Sequence, residues 1–268
     1  MDFTVVLVGV GNMGGAMLRG WLANGLVPEN ITVIDPGPSE VMQTFLNKAG
    51  VKHSPDEKNI PSPDVLILAV KPQMMETVLP TLGGLAGPDT VVVSVAAGTT
   101  ILGIKSHLKN ATIVRSMPNT PSLVNRGMTV ACPEAGVSDL QRDQVEKLLS
   151  AIGKFAWVEE EPLIDAVTAV SGSGPAYVFH LAECMAQAGI AAGLPEDLAM
   201  MLARETVAGA GELLFQSDEE PAQLRINVTS PNGTTAAALD VLMDDAALRK
   251  LVEAAVRAAK RRSEELAQ

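Results

Sequence analysis

A glycine-rich motif near the N-terminus is the first candidate for chemistry. Residues 9–14 read GVGNMG, directly after an apolar, strand-like run and at the start of a helical one. Gly9 would permit a tight turn, Gly11 would let the backbone approach phosphates, and Gly14 would let helix and strand pack closely. The helix N-terminus supplies N–H donors and a positive dipole end. The motif therefore predicts a dinucleotide site, with contacts from Gly9, Gly11, Asn12, Met13 and Gly14; the alternative is a glycine-rich turn without a ligand.

An acidic residue supports the dinucleotide interpretation. Asp35 ends the second strand-like run, about twenty residues after Gly14, where a carboxylate can bind the ribose hydroxyls of a cofactor. A carboxylate there favours NADH because it repels the 2′-phosphate of NADPH. NADPH stays compatible with the sequence through backbone contacts and Ser39. The alternative role for Asp35 is that of a turn residue before two prolines.

Two later segments follow strand-like runs and would share the edge of the sheet where ligands bind. The third run ends in Val70, Lys71 and Pro72. Lys71 could be a catalytic acid, but we expect a structural contact or one at the edge of the cofactor. The fifth run is followed by the rigid polar loop 116–121, which includes Pro118 and Asn119. We expect this loop to form a wall of the cofactor or substrate site, the alternative being a plain connector.

The second half of the chain holds two further candidate motifs. Residues 171–176, SGSGPA, link two helical stretches and could either bind an anion or let two helices cross closely. Residues 228–235, VTSPNGTT, precede a predicted helix from Thr234 to Leu242. Their N–H groups and hydroxyls could cradle a carboxylate, but these residue types are equally typical of a helix N-cap with a turn, which the residues alone favour slightly.

The elements that would position these residues fall into two groups. The first half alternates β-branched runs with helical stretches, as in a parallel sheet with covered faces. The predicted strands are Thr4–Val8, Ile31–Ile34, Val65–Val70, Val91–Val95 and Thr112–Arg115, with two shorter ones near Met128–Ala131 and Phe155–Trp157. The predicted helices between them include Gly14–Asn24, Ser39–Ala49 and Gln73–Leu82. Beyond residue 158 the chain is rich in Ala, Leu, Met and Glu and predicts helices only, so we expect domains at 1–158 and 159–268.

Composition excludes several classes of protein. The 268 residues carry a formal net charge of −11, which disfavours nucleic-acid and membrane-surface binding. We expect no membrane span. The two cysteines and three histidines show no disulfide or metal-binding spacing, so we expect no metal and a reducing, cytoplasmic location.

Taken in this order, the motifs resemble the pyrroline-5-carboxylate reductase family over nearly the whole chain. The segments that carry the resemblance are residues 9–14, 70–72, 94–98, 117–121, 171–176 and 221–242. The last resembles the family signature in Leu224, Val228, Thr229, Ser230, Gly233, Thr235, Ala238 and Leu239. The resemblance implies an α/β protein with an N-terminal Rossmann domain and a C-terminal all-α dimerisation domain. It also adds Ala96 and Gly98 to the predicted cofactor contacts.

The resemblance further implies an activity, the reduction of 1-pyrroline-5-carboxylate to L-proline by NADPH or NADH, the last step of proline biosynthesis. By this similarity Ser230, Gly233 and Thr234 would hold the substrate carboxylate. Thr235 would place its hydroxyl against the ring nitrogen, as the catalytic group. It implies a homodimer with active sites at the interface, and larger rings of dimers such as a decamer. A C=N bond accepts hydride readily when protonated, which fits the lack of paired carboxylates or a catalytic histidine.

Two departures and two rival interpretations accompany the resemblance. Asn232 stands where the family usually has a second glycine, and Met243 where the signature usually ends in a polar residue. Asn is among the least costly replacements if position 232 needs a positive φ. A β-hydroxyacid dehydrogenase would need a catalytic lysine in the second domain, but residues 166–216 contain none. A non-catalytic nicotinamide sensor would keep residues 9–14 and would have no need of the loop around Thr235.

Overall fold

The computed structural model describes residues 2–267, and its first half is built on one sheet. Within that range eight strands join in the order β3-β2-β1-β4-β5-β6-β7-β8. All neighbouring strands are parallel except β6 and β7, which pair antiparallel. The strands are β1 (Val5–Val8), β2 (Ile31–Ile34), β3 (Lys52–Ser54), β4 (Val65–Leu68), β5 (Val91–Ser94), β6 (Thr112–Met117), β7 (Gly127–Pro133) and β8 (Gly153–Trp157).

The helices of the described chain occupy the connections and most of the second half. The α-helices are α1 (Asn12–Ala23), α2 (Glu40–Ala49), α3 (Met75–Val78), α4 (Ile101–His107), α5 (Asp139–Ser150), α6 (Leu163–Val167), α7 (Gly174–Ala191), α8 (Glu196–Gln216), α9 (Pro221–Asn227), α10 (Thr234–Met243) and α11 (Ala247–Leu266). A π-helical turn, Thr168–Gly172, follows α6 directly. Short 3₁₀ turns lie at Pro28–Asn30, Pro72–Met74, Leu79–Gly84, Thr120–Val124 and Asp244–Ala246.

The central strands explain why the sheet is buried on both faces. β1 and β4 have the sequences VVLV and VLIL, and every residue in them is buried. Alternate side chains point to opposite faces, so such runs need a core on each side. One core packs Met17, Leu18 and Trp21 of α1 against one face. The other packs Leu79, Leu82 and Ile104 against the opposite face. The predicted α/β class is therefore confirmed.

Three details differ from the predicted elements. The strand β3 was absent from the prediction because its three residues, KHS, are polar and only partly buried. The predicted helix Gln73–Leu82 is wrong as a single element: only α3 is α-helical, between two 3₁₀ turns. Pro80 lacks the N–H that a continuous helix needs, which shortens the run. The antiparallel pairing of β7 makes the sheet mixed.

The chain separates into two compact units. One runs to Ser173 and includes the chain from Ala259 onward; the other is Gly174–Ala258. The last turns of α11 therefore belong to the first unit. The domain boundary predicted at 158/159 stays a prediction. None of the helices in residues 2–267 is long and apolar enough to cross a membrane.

The second unit is all-α within its described residues. Ala199 and Ala203 of α8 and Ala186 of α7 are buried where these two helices pack. Many of its large apolar side chains are exposed instead, among them Phe179, Met201, Leu213, Val241 and Leu251. An isolated globular unit seldom exposes so much apolar surface without a partner to cover it.

Candidate active site

The glycine motif forms a tight turn between β1 and α1, as the sequence predicts. Gly9 has φ +88°, and a Cβ on it would lie 2.9 Å from the carbonyl oxygen of Ala69. A Cβ on Gly14 would lie 2.1 Å from the carbonyl oxygen of Gly9. A Cβ on Gly11 would have no atom within 4 Å. Gly9 and Gly14 are thus required by the fold, whereas Gly11 borders open space that a ligand could fill.

The N-terminus of α1 is open to an anion. Gly11 is its N-cap residue and no side chain caps the helix. The N–H of Gly15 donates to the carbonyl of Gly11 (2.7 Å). Within residues 2–267, the preceding N–H groups of Asn12, Met13 and Gly14 have no acceptor. Free N–H groups at a helix N-terminus are the donors that bind phosphates, so this cradle fits a pyrophosphate.

Two clefts of about 350 Å³ each flank Gly11 and share Asp35 in their walls. One cleft is lined by Asn12, Arg19 and Ser39, among others. The other is lined by Gly9, Val70 and Lys71, among others. The structure therefore brings together the predicted residues at the ends of β1, β2 and β4. Pro72, Ala96, Gly98, Pro118 and Asn119 line neither cleft.

Asp35 holds the two loops of the cleft in place. Its Oδ2 accepts the N–H of Val10 (2.9 Å) and its Oδ1 accepts the N–H of Gly37 (2.9 Å). A carboxylate offers about four acceptor positions. Asp35 can therefore join the glycine turn to the loop after β2 and still accept hydrogen bonds from a ribose. This structural role goes beyond the turn residue considered from the sequence.

Lys71 is exposed at the carboxyl end of β4 and lines the same cleft as Asp56 and Glu57. Pro72 follows it at the start of a 3₁₀ turn, as expected of a residue that begins a helical segment. The Lys71 side chain makes no hydrogen bond or ion pair to any other described residue, whereas its backbone carbonyl accepts the N–H of Met74 (2.9 Å). Its position therefore fits the edge of a cofactor site.

Asn119 lies in the loop after β6, and its side chain is fully occupied by the protein. Its Nδ2 donates to both the carbonyl and the hydroxyl of Ser171 (3.2 Å each), and its Oδ1 accepts the N–H of Met128 (2.9 Å). The carbonyl of Ser171 would normally accept the N–H four residues later, but Pro175 has none. Asn119 supplies the missing donor, which makes its side chain a clamp on the loop.

The motif SGSGPA contains the last two residues of the π-helical turn Thr168–Gly172 and the first three residues of α7, and neither of the two predicted roles for it is tested. The N–H of Ser173 donates to the carbonyl of Thr168 (2.8 Å), five residues earlier. Proline clashes with the carbonyl four residues before it, which explains why the helix widens here. Gly172 packs tightly: a Cβ on it would lie 2.4 Å from Cε of Met117. Single π-helical turns of this kind are frequent at functional sites.

The loop before α10 opens onto a second helix N-terminus, in the other compact unit. Gly233 is the N-cap residue, no side chain caps the helix, and the Gly233 N–H donates to the carbonyl of Ser230 (3.0 Å). The N–H groups of Thr234 and Thr235 find no acceptor in the described chain, and neither does the half-buried Thr235 hydroxyl. Asn232 has φ +57°, so the position does need the left-handed conformation for which glycine or asparagine is suited.

A buried charge network was not foreseen from the sequence. Arg115 on β6 is 2% exposed and contacts Glu161 and Asp165. A charged residue inside an otherwise apolar strand was the available signal, since buried charges need partners.

Arg19, stacked 4.1 Å from the ring centre of Phe45, was also missed in the first cleft. Across residues 2–267 no group of three or more metal-binding side chains occurs.

Two family models match the chain. The model described as "NADP oxidoreductase coenzyme F420-dependent" matches residues 4–98, which contain the glycine turn and the lining of both clefts except Leu123. The model described as "Pyrroline-5-carboxylate reductase dimerisation" matches residues 161–266, which contain the loop before α10. Both halves of the chain therefore match a described family.

Curated relatives extend over the full length. A pyrroline-5-carboxylate reductase of Pseudomonas aeruginosa is 39% identical over 98% of this chain and 97% of its own length. One from Synechocystis sp. is 40% identical over 99% of both chains. A solved pyrroline-5-carboxylate reductase of Coxiella burnetii superposes with a TM-score of 0.92 at 34% identity, covering 100% of both chains. That of Plasmodium falciparum, solved with NADP bound, has a TM-score of 0.82 at 27% identity, covering 100% of this chain and 99% of that one.

Proposed function

Because this chain belongs to the pyrroline-5-carboxylate reductase family, we propose that it reduces 1-pyrroline-5-carboxylate to L-proline with NADH or NADPH, as the last step of proline biosynthesis. The observation that carries the proposal is the identity of 39% to a reductase over 98% of the chain. A relation of this extent covers both the cofactor motif and the loop before α10. The open helix N-termini of α1 and α10 supply the two anion sites that the reaction needs.

The cofactor would be held by residues of the first unit. The free N–H groups of Asn12, Met13 and Gly14 would bind the pyrophosphate, and the Asp35 carboxylate would accept the ribose hydroxyls. Val70, Lys71 and Pro72, together with Ala96, Gly98, Pro118 and Asn119, would border the remainder of the cofactor. Asn119 would contribute through its backbone, since its side chain is engaged by Ser171 and Met128. When bound, the nicotinamide supplies the hydride for the C=N carbon.

The substrate would be held by the loop before α10. The free N–H groups of Thr234 and Thr235 point along the helix N-terminus, where a carboxylate is stabilised by the dipole. Ser230 would add its hydroxyl, and Gly233 would shape the turn because its own N–H is engaged. The Thr235 hydroxyl, free of internal partners, would hydrogen-bond the ring nitrogen and hold its proton in place. Orientation of this kind is the main contribution required of the protein, because the imine is already an electrophile.

The preferred cofactor is proposed to be NADH. The Asp35 carboxylate lies in the walls of both clefts, so a 2′-phosphate beside it would meet like charge. Arg19 and Ser39 in the first cleft are the residues that could offset this repulsion. The ratio of kcat/KM with NADH to kcat/KM with NADPH measures whether the repulsion by Asp35 outweighs the compensation by Arg19 and Ser39.

The assembly is proposed to be a homodimer, with dimers joined into larger rings such as a decamer. The match of residues 161–266 to a dimerisation model and the exposed apolar side chains of the second unit support the dimer. A cytoplasmic location is proposed as well, since the two cysteines are both free.

The experiment that tests the function is a coupled measurement of cofactor oxidation and product. Purified protein is mixed with 1-pyrroline-5-carboxylate and either NADH or NADPH, and L-proline is quantified by mass spectrometry. One equivalent of L-proline per cofactor oxidised is the expected result. The six-membered cyclic imine serves as the competing substrate. Faster reduction of that ring, or cofactor binding without any proline, would contradict the proposal.

A further inference from the structure

The loop between β5 and α4, residues 95–100, rests on the end of the C-terminal helix α11. Gly98 in this loop has φ +75°. A Cβ on Gly98 would lie 3.0 Å from the Cβ of Leu266 and 3.2 Å from its carbonyl oxygen. Such a close approach requires glycine here for space as well as for conformation. The loop follows a strand at the carboxyl edge of the sheet, where ligands bind in open α/β folds.

A chain of four hydrogen bonds, two of them buried and two partly buried, connects the same two segments a second time. Glu161 Oε1 accepts the N–H of Ile101, the first residue of α4 (2.8 Å), and also Nη1 of Arg115 (3.2 Å). Nη2 of Arg115 donates to Asp165 Oδ1 (3.0 Å). The same oxygen accepts the hydroxyl of Ser263 in α11 (2.7 Å). The loop is therefore held at Gly98 by direct contact and at Ile101 through this network.

The charges explain why Ser263 matters to the network. Two carboxylates, of Glu161 and Asp165, face one guanidinium whose buried Nε has no hydrogen-bond partner, so these carboxylates take further donors from other segments. The Ile101 N–H and the Ser263 hydroxyl provide them. Arg115, Asp165 and Ser263 are 2%, 7% and 4% exposed, which makes the loss of any donor costly. The Ser263 bond also fixes a helix end that would otherwise tend to fray.

We propose that the last turn of α11 positions the loop 95–100 for binding NAD(P)H, with Leu266 as the positioning residue and Ser263 as its anchor. The proposal rests on the proposed function, in which Ala96 and Gly98 contact the cofactor. The affinity for the cofactor then depends on the fraction of molecules in which the loop is held. Neither Leu266 nor Ser263 needs to touch the cofactor for this effect.

The test compares Leu266→Gly, which removes the Cβ that lies against Gly98, and Ser263→Ala with the conservative variant Leu266→Met in the whole chain. The Kd of NADH and of NADPH is measured by fluorescence, and hydrogen exchange reports on the amides of residues 95–101. We expect Leu266→Gly and Ser263→Ala to raise the Kd about threefold to tenfold, with faster exchange in the loop, because its held fraction falls. Leu266→Met keeps the packing and should stay within about twofold of the wild type.

The control is Arg262→Ala, which removes an exposed ion pair with Glu265 from the same turn. It should leave the Kd unchanged. Leu266 is 56% exposed, so its truncation is not expected to unfold the protein. Faster exchange with an unchanged Kd in both Leu266→Gly and Ser263→Ala would overturn the proposal and leave a purely structural role. Failure of the reductase function would appear separately, as cofactor binding by the wild type without proline formation.

Discussion

Alanine replacements of Gly11 and Gly14 should separate the contribution of the glycine turn to cofactor affinity from its contribution to folding stability. In Gly11→Ala the new methyl group meets no protein atom within 4 Å, and the residue already has φ −66°, which alanine accepts. Loss of chain freedom in the unfolded state should stabilise the variant by about 0.4–1 kcal/mol. For a chain of this size we expect a Tm equal to that of the wild type or higher by up to about 4 °C.

The same methyl group enters the space proposed for the pyrophosphate. Displacing the phosphates from one N–H donor removes a hydrogen bond to a charged group, which is worth about 1.5–3 kcal/mol. The Kd of NADH and the Kd of NADPH should therefore each rise by roughly 10- to 150-fold. Isothermal titration with each cofactor, alongside a thermal melt, measures both effects on one sample.

Gly14→Ala is the matched variant, and we expect it to lower the Tm, which Gly11→Ala should not do. Its Cβ would lie 2.1 Å from the carbonyl oxygen of Gly9, so two backbone segments must move apart. Overpacking of this kind costs about 1–3 kcal/mol, which should lower the Tm by roughly 2–12 °C. A Gly11→Ala protein that binds both cofactors with the affinity of the wild type would refute the pyrophosphate cradle.

Three further outcomes follow from the contacts of single side chains. Asp35→Asn keeps an oxygen for one of its two N–H partners but removes the charge, so kcat/KM for NADPH relative to NADH should rise about tenfold; an unchanged ratio would show that Asp35 does not select the cofactor. Asn119→Ala leaves the Ser171 carbonyl and the Met128 N–H without partners and should lower the free energy of unfolding by about 1–3 kcal/mol in denaturant titrations; a loss below about 0.5 kcal/mol would contradict the clamp. Burial, followed by the nearby Glu161 carboxylate, raises the pKa of the Cys132 thiol, so mass spectrometry should find Cys132 unmodified by a thiol reagent at pH 7 in the native protein and modified after unfolding; rapid labelling of the native protein would be inconsistent with that burial.

The sequence predicts the parts of the fold that local patterns determine. Apolar runs such as VVLV and VLIL could be assigned as strands because they fill a sheet buried on both faces. The tight turn at the glycine motif could be predicted because the motif stands between a strand-like run and a helical one, where each glycine has a distinct steric role. The helix beginning at Thr234 followed from its turn residues, and the structure confirms it from Thr234 to Met243.

Other features depend on contacts between distant segments and leave no local pattern. The Asn119 side chain bonds to Ser171, fifty-two residues away, and Ser263 bonds to Asp165 at a separation of ninety-eight. The antiparallel pairing of β7 depends on its neighbours rather than on its own residues. Asn232 lies between these cases. The sequence indicates that asparagine would be tolerated if position 232 needs a positive φ, and the structure shows that φ is positive there.

The most direct test of the central claim is a comparison of Thr235→Val with Thr235→Ser in the reduction of 1-pyrroline-5-carboxylate. Valine keeps the shape of threonine without the hydroxyl, and serine keeps the hydroxyl. If Thr235 holds the ring nitrogen, kcat/KM should fall by roughly 10- to 150-fold in Thr235→Val, since one hydrogen bond to a charged group is lost, while the Kd of the cofactor is unchanged. Thr235→Ser should keep most of the activity. Equal rates for Thr235→Val and the wild type would contradict the claim that this loop is where the imine is reduced.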